Sequence, residues 1–123
     1  MPSIAIIGAS NNKNKFGNKC VRAYQSIGWK VFPINTKENN IEGLKCYQSI
    51  TQLPYKPDRV SIYLPPNITI SLIPELLKAK IKNVILNPGA ESEELIKALH
   101  ENGIKTTLAC SIRLEGLNPD DFP

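Results

Sequence analysis

An apolar run, Ile4-Ala5-Ile6-Ile7, ends at Gly8 and gives way to the polar loop Ala9-Ser10-Asn11-Asn12-Lys13-Asn14-Lys15. The pattern then turns amphipathic at Phe16-Gly17. A β-rich run ending in glycine, followed by a polar loop and an amphipathic segment, is the opening of a βαβ nucleotide-binding unit. Gly8 lets the chain turn sharply because no Cβ stands in the way. The backbone N–H groups beyond it, and the start of the next helix, can then face a phosphate. Lys13 and Lys15 add positive charge at the same place. Together these features point to a phosphate-bearing small molecule.

Strand and helix patterns alternate along the rest of the chain. Ile4–Ile7 reads as the first strand. Phe16–Ile27 reads as a helix with Cys20, Tyr24 and Ile27 on one face and Gly28 as its stop. Lys30–Ile34 is the second strand. A longer polar connection, Asn35–Pro57, follows, with a short helix near Ser49–Leu53. Arg59–Leu64 is the third strand, stopped by Pro65-Pro66. A helix then runs to about Lys80 and buries Ile70, Ile73 and Leu77. Pro74 inside it either sits in the first turn of a late-starting helix or kinks an early-starting one. Val84–Leu86 is the fourth strand, and Asn87-Pro88-Gly89 is a turn. A helix starting near Glu91 or Ser92 packs Leu95, Ile96 and Leu99 inward and stops at Gly103, with Glu91, Glu93 and Glu94 near its positive end. Lys105–Ala109 is the fifth strand, and Cys110–Pro123 is a short polar tail.

Five short strands alternating with helices imply an α/β fold: a Rossmann-like, doubly wound parallel sheet, order 3-2-1-4-5, with helices on both faces. A chain of 123 residues is normally one domain, here 1–123. It can bury roughly two-thirds of its unfolded surface without a metal or a disulfide. Ligands of such folds bind at the carboxyl ends of the strands, where the order reverses. The polar loops Gly8–Lys15, Asn35–Asn40, Pro65–Asn67, Asn87–Ala90 and Cys110–Arg113 fall there.

Composition excludes several classes. The net charge of +4 suits an anionic small ligand, and the basic residues form no run that would mark a nucleic-acid surface. No apolar run approaches the roughly 20 residues that span a bilayer. The start, Met1-Pro2-Ser3-Ile4, lacks the basic region of a signal peptide. Cys20, Cys46 and Cys110 are three widely separated cysteines with no metal-ligand spacing. They read as reduced thiols of a cytoplasmic protein with no metal site.

Three features narrow the ligand. The first loop carries only Gly8 and Gly17, which departs from the dinucleotide fingerprint G-x-G-x-x-G. The second strand ends in Ile34-Asn35-Thr36-Lys37, with a lysine where an NAD site carries a carboxylate for the ribose hydroxyl. That environment favours a phosphorylated ribose, as in NADP or coenzyme A. No P-loop occurs, which argues against ATP hydrolysis. Tyr63-Leu64-Pro65-Pro66 makes a rigid apolar ledge that could line the path of a pantetheine arm.

On these residues the chain resembles the small single-domain CoA-binding proteins. Their fold is shared with the CoA-binding domain of the succinyl-CoA synthetase α-subunit and of ADP-forming acyl-CoA synthetases. The likeness runs through Ile6–Ser10, Val31–Asn35, Ile41–Tyr47, Pro57-Asp58, Leu64–Pro66, Asn87–Ser92 and Cys110–Ile112, in that order and spacing. The resemblance implies that Gly8, Ala9, Ser10 and the adjoining backbone at Asn11 hold the CoA pyrophosphate, with Lys13 or Lys15 close by. It implies that Asn35 and Lys37 lie near the adenosine and its 3′-phosphate. Leu64, Pro65 and Pro66 would flank the adenine or the start of the pantetheine. Asn87, Pro88 and Gly89 would lie toward the thiol end. Cys110 ends the fifth strand at that edge, where a thiolate could form a mixed disulfide with CoA.

No catalytic constellation is evident. His100 is the only histidine, near the end of a helix and away from the ligand edge. The expectation is therefore a module that binds CoA or an acyl-CoA without catalysis of its own. The alternatives are a subunit or fragment of an ADP-forming acyl-CoA synthetase, working with a partner enzyme subunit, and an NADP-binding domain. An exposed sheet edge also allows a homodimer.

Overall fold

The computed structural model describes residues 1–123. Five parallel strands form the central sheet: β1 (Ser3–Ile7), β2 (Lys30–Ile34), β5 (Arg59–Ile62), β6 (Asn83–Leu86) and β7 (Lys105–Leu108), in the order β2-β1-β5-β6-β7. β3 (Asn40–Ile41) and β4 (Leu44–Lys45) form a small antiparallel hairpin after β2. The order corresponds to the 3-2-1-4-5 pattern in its reversal at β1. The third place, outside β2, is held only by a one-residue parallel bridge from Tyr47 to Ile34. The strand expected there, over Arg59–Leu64, lies instead on the other side of β1, with Ala5 opposite Val60. The physical reason is the Asn35–Pro57 connection. It spends its polar residues on the hairpin and the bridge, so the chain crosses to the far side of β1 before it next forms a full strand.

The period-2 pattern of β1 explains the two layers. Ile4 and Ile6 face α1 (Phe16–Ser26) and α5 (Ser111–Leu114), in a cluster with Cys20, Val21, Tyr24 and Ile112. Ala5 and Ile7 face the opposite layer, built from α2 (Pro66–Ser71), α3 (Ile73–Lys78) and α4 (Glu93–Glu101). All five residues of β1 are buried, as a central parallel strand requires. Leu95 and Leu99 of α4 are fully buried, and burial of each contributes roughly 1.5–3 kcal/mol. The Ser92 hydroxyl caps α4 by accepting the Leu95 N–H at 3.0 Å.

Several local expectations are corrected. Ile27 and Leu77 are exposed, because α1 ends at Ser26 and the helix after β5 is broken. Pro74 cannot donate to the carbonyl of Ile70, so the helical pattern splits at Leu72 and Pro74 sits in the first turn of α3. The buried residues there are Thr69, Ile73 and Leu76, with Ile70 half-buried. The segment after Cys110 is not a loose tail. It forms α5, a 3-10 turn over Pro119–Asp121, and packing contacts of Leu117 and Phe122 with the α1 layer. No helix is long and apolar enough to cross a membrane.

Candidate functional site

The carboxyl ends of β1, β2 and β5 open into two cavities on either side of Gly8. One, of about 340 Å³, lies toward α2 and α3. Its apolar wall is Ile7, Ile34, Ile50, Leu64, Ile68, Leu72 and Leu76, and its polar rim includes Asn35, Thr36, Lys37, Gln48, Ser49 and Glu75. The Ser49 hydroxyl donates to the Glu75 carboxylate within that rim. The other cavity, of about 490 Å³, lies toward the start of α1 and is lined by Gly8, Ala9, Ser10, Lys15, Phe16, Gly17, Asn35, Tyr63, Leu64, Pro65 and Pro88. Gly8, Asn35 and Leu64 border both.

Close packing at Gly8 makes this edge. Its φ is +91°, a conformation that side chains rarely adopt. Its N–H donates to the Ile34 carbonyl at 3.1 Å, which ties the loop to the end of β2. Gly17 lies directly against it: a Cβ at Gly17 would stand 2.3 Å from the Gly8 carbonyl oxygen. Two glycines thus bring the first turn of α1 down onto the end of β1.

The N–H groups of Ala9, Ser10, Phe16 and Gly17 make no hydrogen bond within the protein, and all four residues line the larger cavity. Helix α1 has no side-chain cap and no acidic residue in its first turn. Its partial positive end is therefore free for an anion, with Lys15 beside it. The loop carbonyls, by contrast, are occupied. Asn35 Nδ2 donates to the Ala9 carbonyl at 2.8 Å, and Asn18 Nδ2 donates to the Ser10 carbonyl at 2.8 Å. Because C=O and the following N–H point oppositely across a trans peptide, anchoring the Ala9 carbonyl also fixes the direction of the Ser10 N–H.

The expected site residues divide into two groups. Gly8, Ala9, Ser10, Lys15, Asn35, Lys37, Leu64, Pro65 and Pro88 line one cavity or both. Asn11, Lys13, Pro66, Asn87, Gly89 and Cys110 line neither. Asn11 is turned away, its amide donating to Glu38 Oε2 at 2.8 Å and to the Asn40 carbonyl at 3.0 Å. Asn87 is buried and structural. Its Nδ2 donates to Ser61 Oγ at 2.8 Å and to the Ile62 carbonyl at 2.9 Å, and its Oδ1 accepts the Ser111 N–H at 2.8 Å. The Gly89 N–H is taken by Glu91 Oε2 at 3.0 Å. Pro66 starts α2, and Cys110 is half-buried at the start of α5. His100 lies on exposed α4 surface, its ring 3.3 Å from the Thr106 hydroxyl on β7.

Tyr63, read from sequence as part of the apolar ledge, lines the larger cavity, and so do Phe16 and Gly17, which sequence did not mark as contacts. Phe16 is 54% exposed, an unusual position for a phenylalanine at a helix start. The Tyr63 hydroxyl is buried without a hydrogen-bond partner. Burial, reinforced by the neighbouring Cys20, pushes its phenol well above the ordinary range. Burial also pushes the Cys20 thiol up to about 12. Both groups are neutral at physiological pH, so this wall offers a ligand an apolar surface and no thiolate from Cys20.

The family model of a CoA binding domain matches residues 2–115. The chain belongs to this family of CoA binding domains. Among curated relatives it is similar to the acetate–CoA ligase [ADP-forming] II subunit alpha of Pyrococcus furiosus, 30% identical over 115 residues. That match covers 83% of this chain and 25% of the subunit, so the chain spans about a quarter of that relative's length. Among solved structures it is similar to a conserved hypothetical protein from Pyrococcus furiosus, with a TM-score of 0.84 and 34% identity. That likeness covers 94% of this chain and 99% of the other. It is also similar to a dinucleotide forming acetyl-coenzyme A synthetase 1 of Candidatus Korarchaeum cryptofilum, in complex with phosphate and ADP. There the TM-score is 0.75 with 31% identity, over 87% of this chain and 25% of that one. A family of CoA binding domains is thus joined to a Rossmann-like sheet whose carboxyl edge carries free amides beside an apolar cleft.

Proposed function

We propose that this chain binds coenzyme A or an acyl-CoA across the carboxyl edge of its sheet, and that binding rather than turnover is what the chain itself performs. The observation that carries this reading is the set of four free N–H groups, on Ala9, Ser10, Phe16 and Gly17, lining one cavity at the uncapped start of α1. They suit a pyrophosphate. The apolar cleft on the other side of Gly8 suits an adenine, and Lys37 on its rim suits the 3′-phosphate. The pantetheine then runs from the loop past Tyr63, Pro65 and Pro88, with Phe16 as the facing apolar surface.

Thermal unfolding with coenzyme A, acetyl-CoA, 3′-dephospho-CoA, NADP and NAD tests this. A ligand at about 100 times its dissociation constant adds roughly 2.7 kcal/mol, a shift of several degrees for a domain of this size. Coenzyme A or acetyl-CoA is expected to give the largest shift and dephospho-CoA a smaller one than coenzyme A. Lys37→Ala is expected to reduce the coenzyme A shift to the level of dephospho-CoA. A larger shift with NADP than with coenzyme A overturns the reading in favour of a dinucleotide site.

A second reading follows from the match to about a quarter of a ligase subunit. The chain then supplies the CoA site of an ADP-forming acyl-CoA synthetase whose remaining domains are on another chain. Acyl-CoA-dependent ADP phosphorylation on mixing with such a chain, and none from either chain alone, is its expected signature.

A further inference from the structure

The binding loop is held from behind by a segment distant in sequence. Arg22, half-buried on α1, uses its guanidinium as a junction. Its Nη2 donates to the Lys13 carbonyl at 3.1 Å and to the Phe122 carbonyl at 2.9 Å, and its Nη1 donates to the main-chain oxygen of Pro123 at 2.9 Å. Its Nε donates to Asn18 Oδ1 at 2.7 Å, and Asn18 in turn holds the Ser10 carbonyl. Lys19 Nζ adds a bond to the Phe122 carbonyl at 3.0 Å. The same segment is seated on α1 by buried Pro119 and by Phe122. One planar cation therefore links two points of the loop, Ser10 through Asn18 and Lys13 directly, to residues a hundred positions along the chain.

We propose that Arg22 is a positioning residue for the ligand phosphates, and that the segment Asn118–Pro123 acts through it as a clasp on the Ser10–Lys15 loop. This rests on the coenzyme A reading of the site. Arg22 lines neither cavity, so it acts on a ligand through the loop and not by contact. Loop order and segment order are then coupled, and ligand binding must stabilise the segment as much as the segment favours the ligand. Only arginine fits the role, because five donors in a rigid fork reach carbonyls in several directions where a lysine ammonium cannot.

The test combines amide hydrogen exchange of the unliganded protein with affinities for coenzyme A and 3′-dephospho-CoA, in the parent, Arg22→Gln, Arg22→Lys and Phe122→Ala. The expected result for Arg22→Gln is faster exchange at Asn14 and Lys15 together with the segment. Affinity should fall by roughly 10-fold, equally for the two ligands, since both carry the pyrophosphate. Arg22→Lys is expected to behave like Arg22→Gln, and Phe122→Ala to act in the same direction while leaving Arg22 in place. Should Arg22→Gln not fold, Phe122→Ala carries the test. Affinity restored by Arg22→Lys overturns the proposal, because charge alone then explains the effect. A freed segment over an unchanged loop overturns it as well. If the parent binds neither ligand, the coenzyme A reading fails, while the exchange data still decide whether the clasp exists.

Discussion

Gly17 shows how tightly the site is built from small residues. Its neighbour across the turn is backbone, the Gly8 carbonyl, which cannot rotate away as a side chain could. Gly17→Ala is expected to cost about 1–3 kcal/mol in denaturant unfolding and to lower coenzyme A affinity, because the start of α1 must move away from Gly8 and carry the amides of Phe16 and Gly17 apart from those of Ala9 and Ser10. A variant as stable as the parent contradicts the packing described. Gly8 was legible as a turn residue from sequence, since a glycine ending an apolar run has few other uses. The part played by Asn35 was not. Its position after β2 marked it as a ligand contact, yet its side chain is spent inside the protein, on the Ala9 carbonyl and on the Lys37 N–H at 2.7 Å. Asn11 and Asn87 read from sequence as ligand contacts in the same way, and their amides also hydrogen-bond inside the protein. An amide side chain in a polar loop reads identically whether it faces a ligand or braces a neighbouring carbonyl.

At the scale of elements, helix α1 joins site and core. Its N-terminal turn faces the cavity, and four residues later Cys20 is sealed against β1 and Tyr63. The Cys20 thiol rises from its ordinary 9.0 to about 12, chiefly through burial. The folded state thus keeps a proton that the unfolded chain gives up. The stability linked to Cys20 is complete below pH 9 and is lost as pH rises from 9 toward 12. Cys20→Ala is expected to lose less stability than the parent between pH 8 and about 10.5, by urea unfolding at each pH. An identical slope in the two proteins would show that Cys20 is not the group responsible. The helix pattern and the stop at Gly28 were readable from spacing. The split at Leu72 was readable only in part, because Pro74 permits either a late start or a kink. With the split, both helices line the apolar cleft: α2 through Ile68, the junction through Leu72, and α3 through Glu75 and Leu76. The last segment was hidden because its apolar residues, Ile112, Leu117 and Phe122, are too sparse to show a period.

For the whole molecule, alternation of strand and helix was enough to give the layered sheet and its reversal at β1. It could not say which side of β1 the strand at Arg59 would take, since that depends on the hairpin at Asn40–Lys45 and the bridge at Tyr47. The proposed ligand edge rests on topology, because every parallel strand delivers its following loop to the same side. The central claim is that coenzyme A lies across this edge, with its phosphates on the Gly8–Gly17 turn and its adenine between β2 and α2. Amide chemical-shift mapping during titration of the isotopically labelled protein with coenzyme A tests it most directly. The account predicts the largest shifts at Ala9, Ser10, Phe16 and Gly17, smaller ones at Thr36, Lys37 and Ile68, and none along Asp58 and Asn83 at the opposite edge. An unperturbed Ala9–Gly17 stretch at saturating coenzyme A, or shifts confined to the opposite edge, would contradict it.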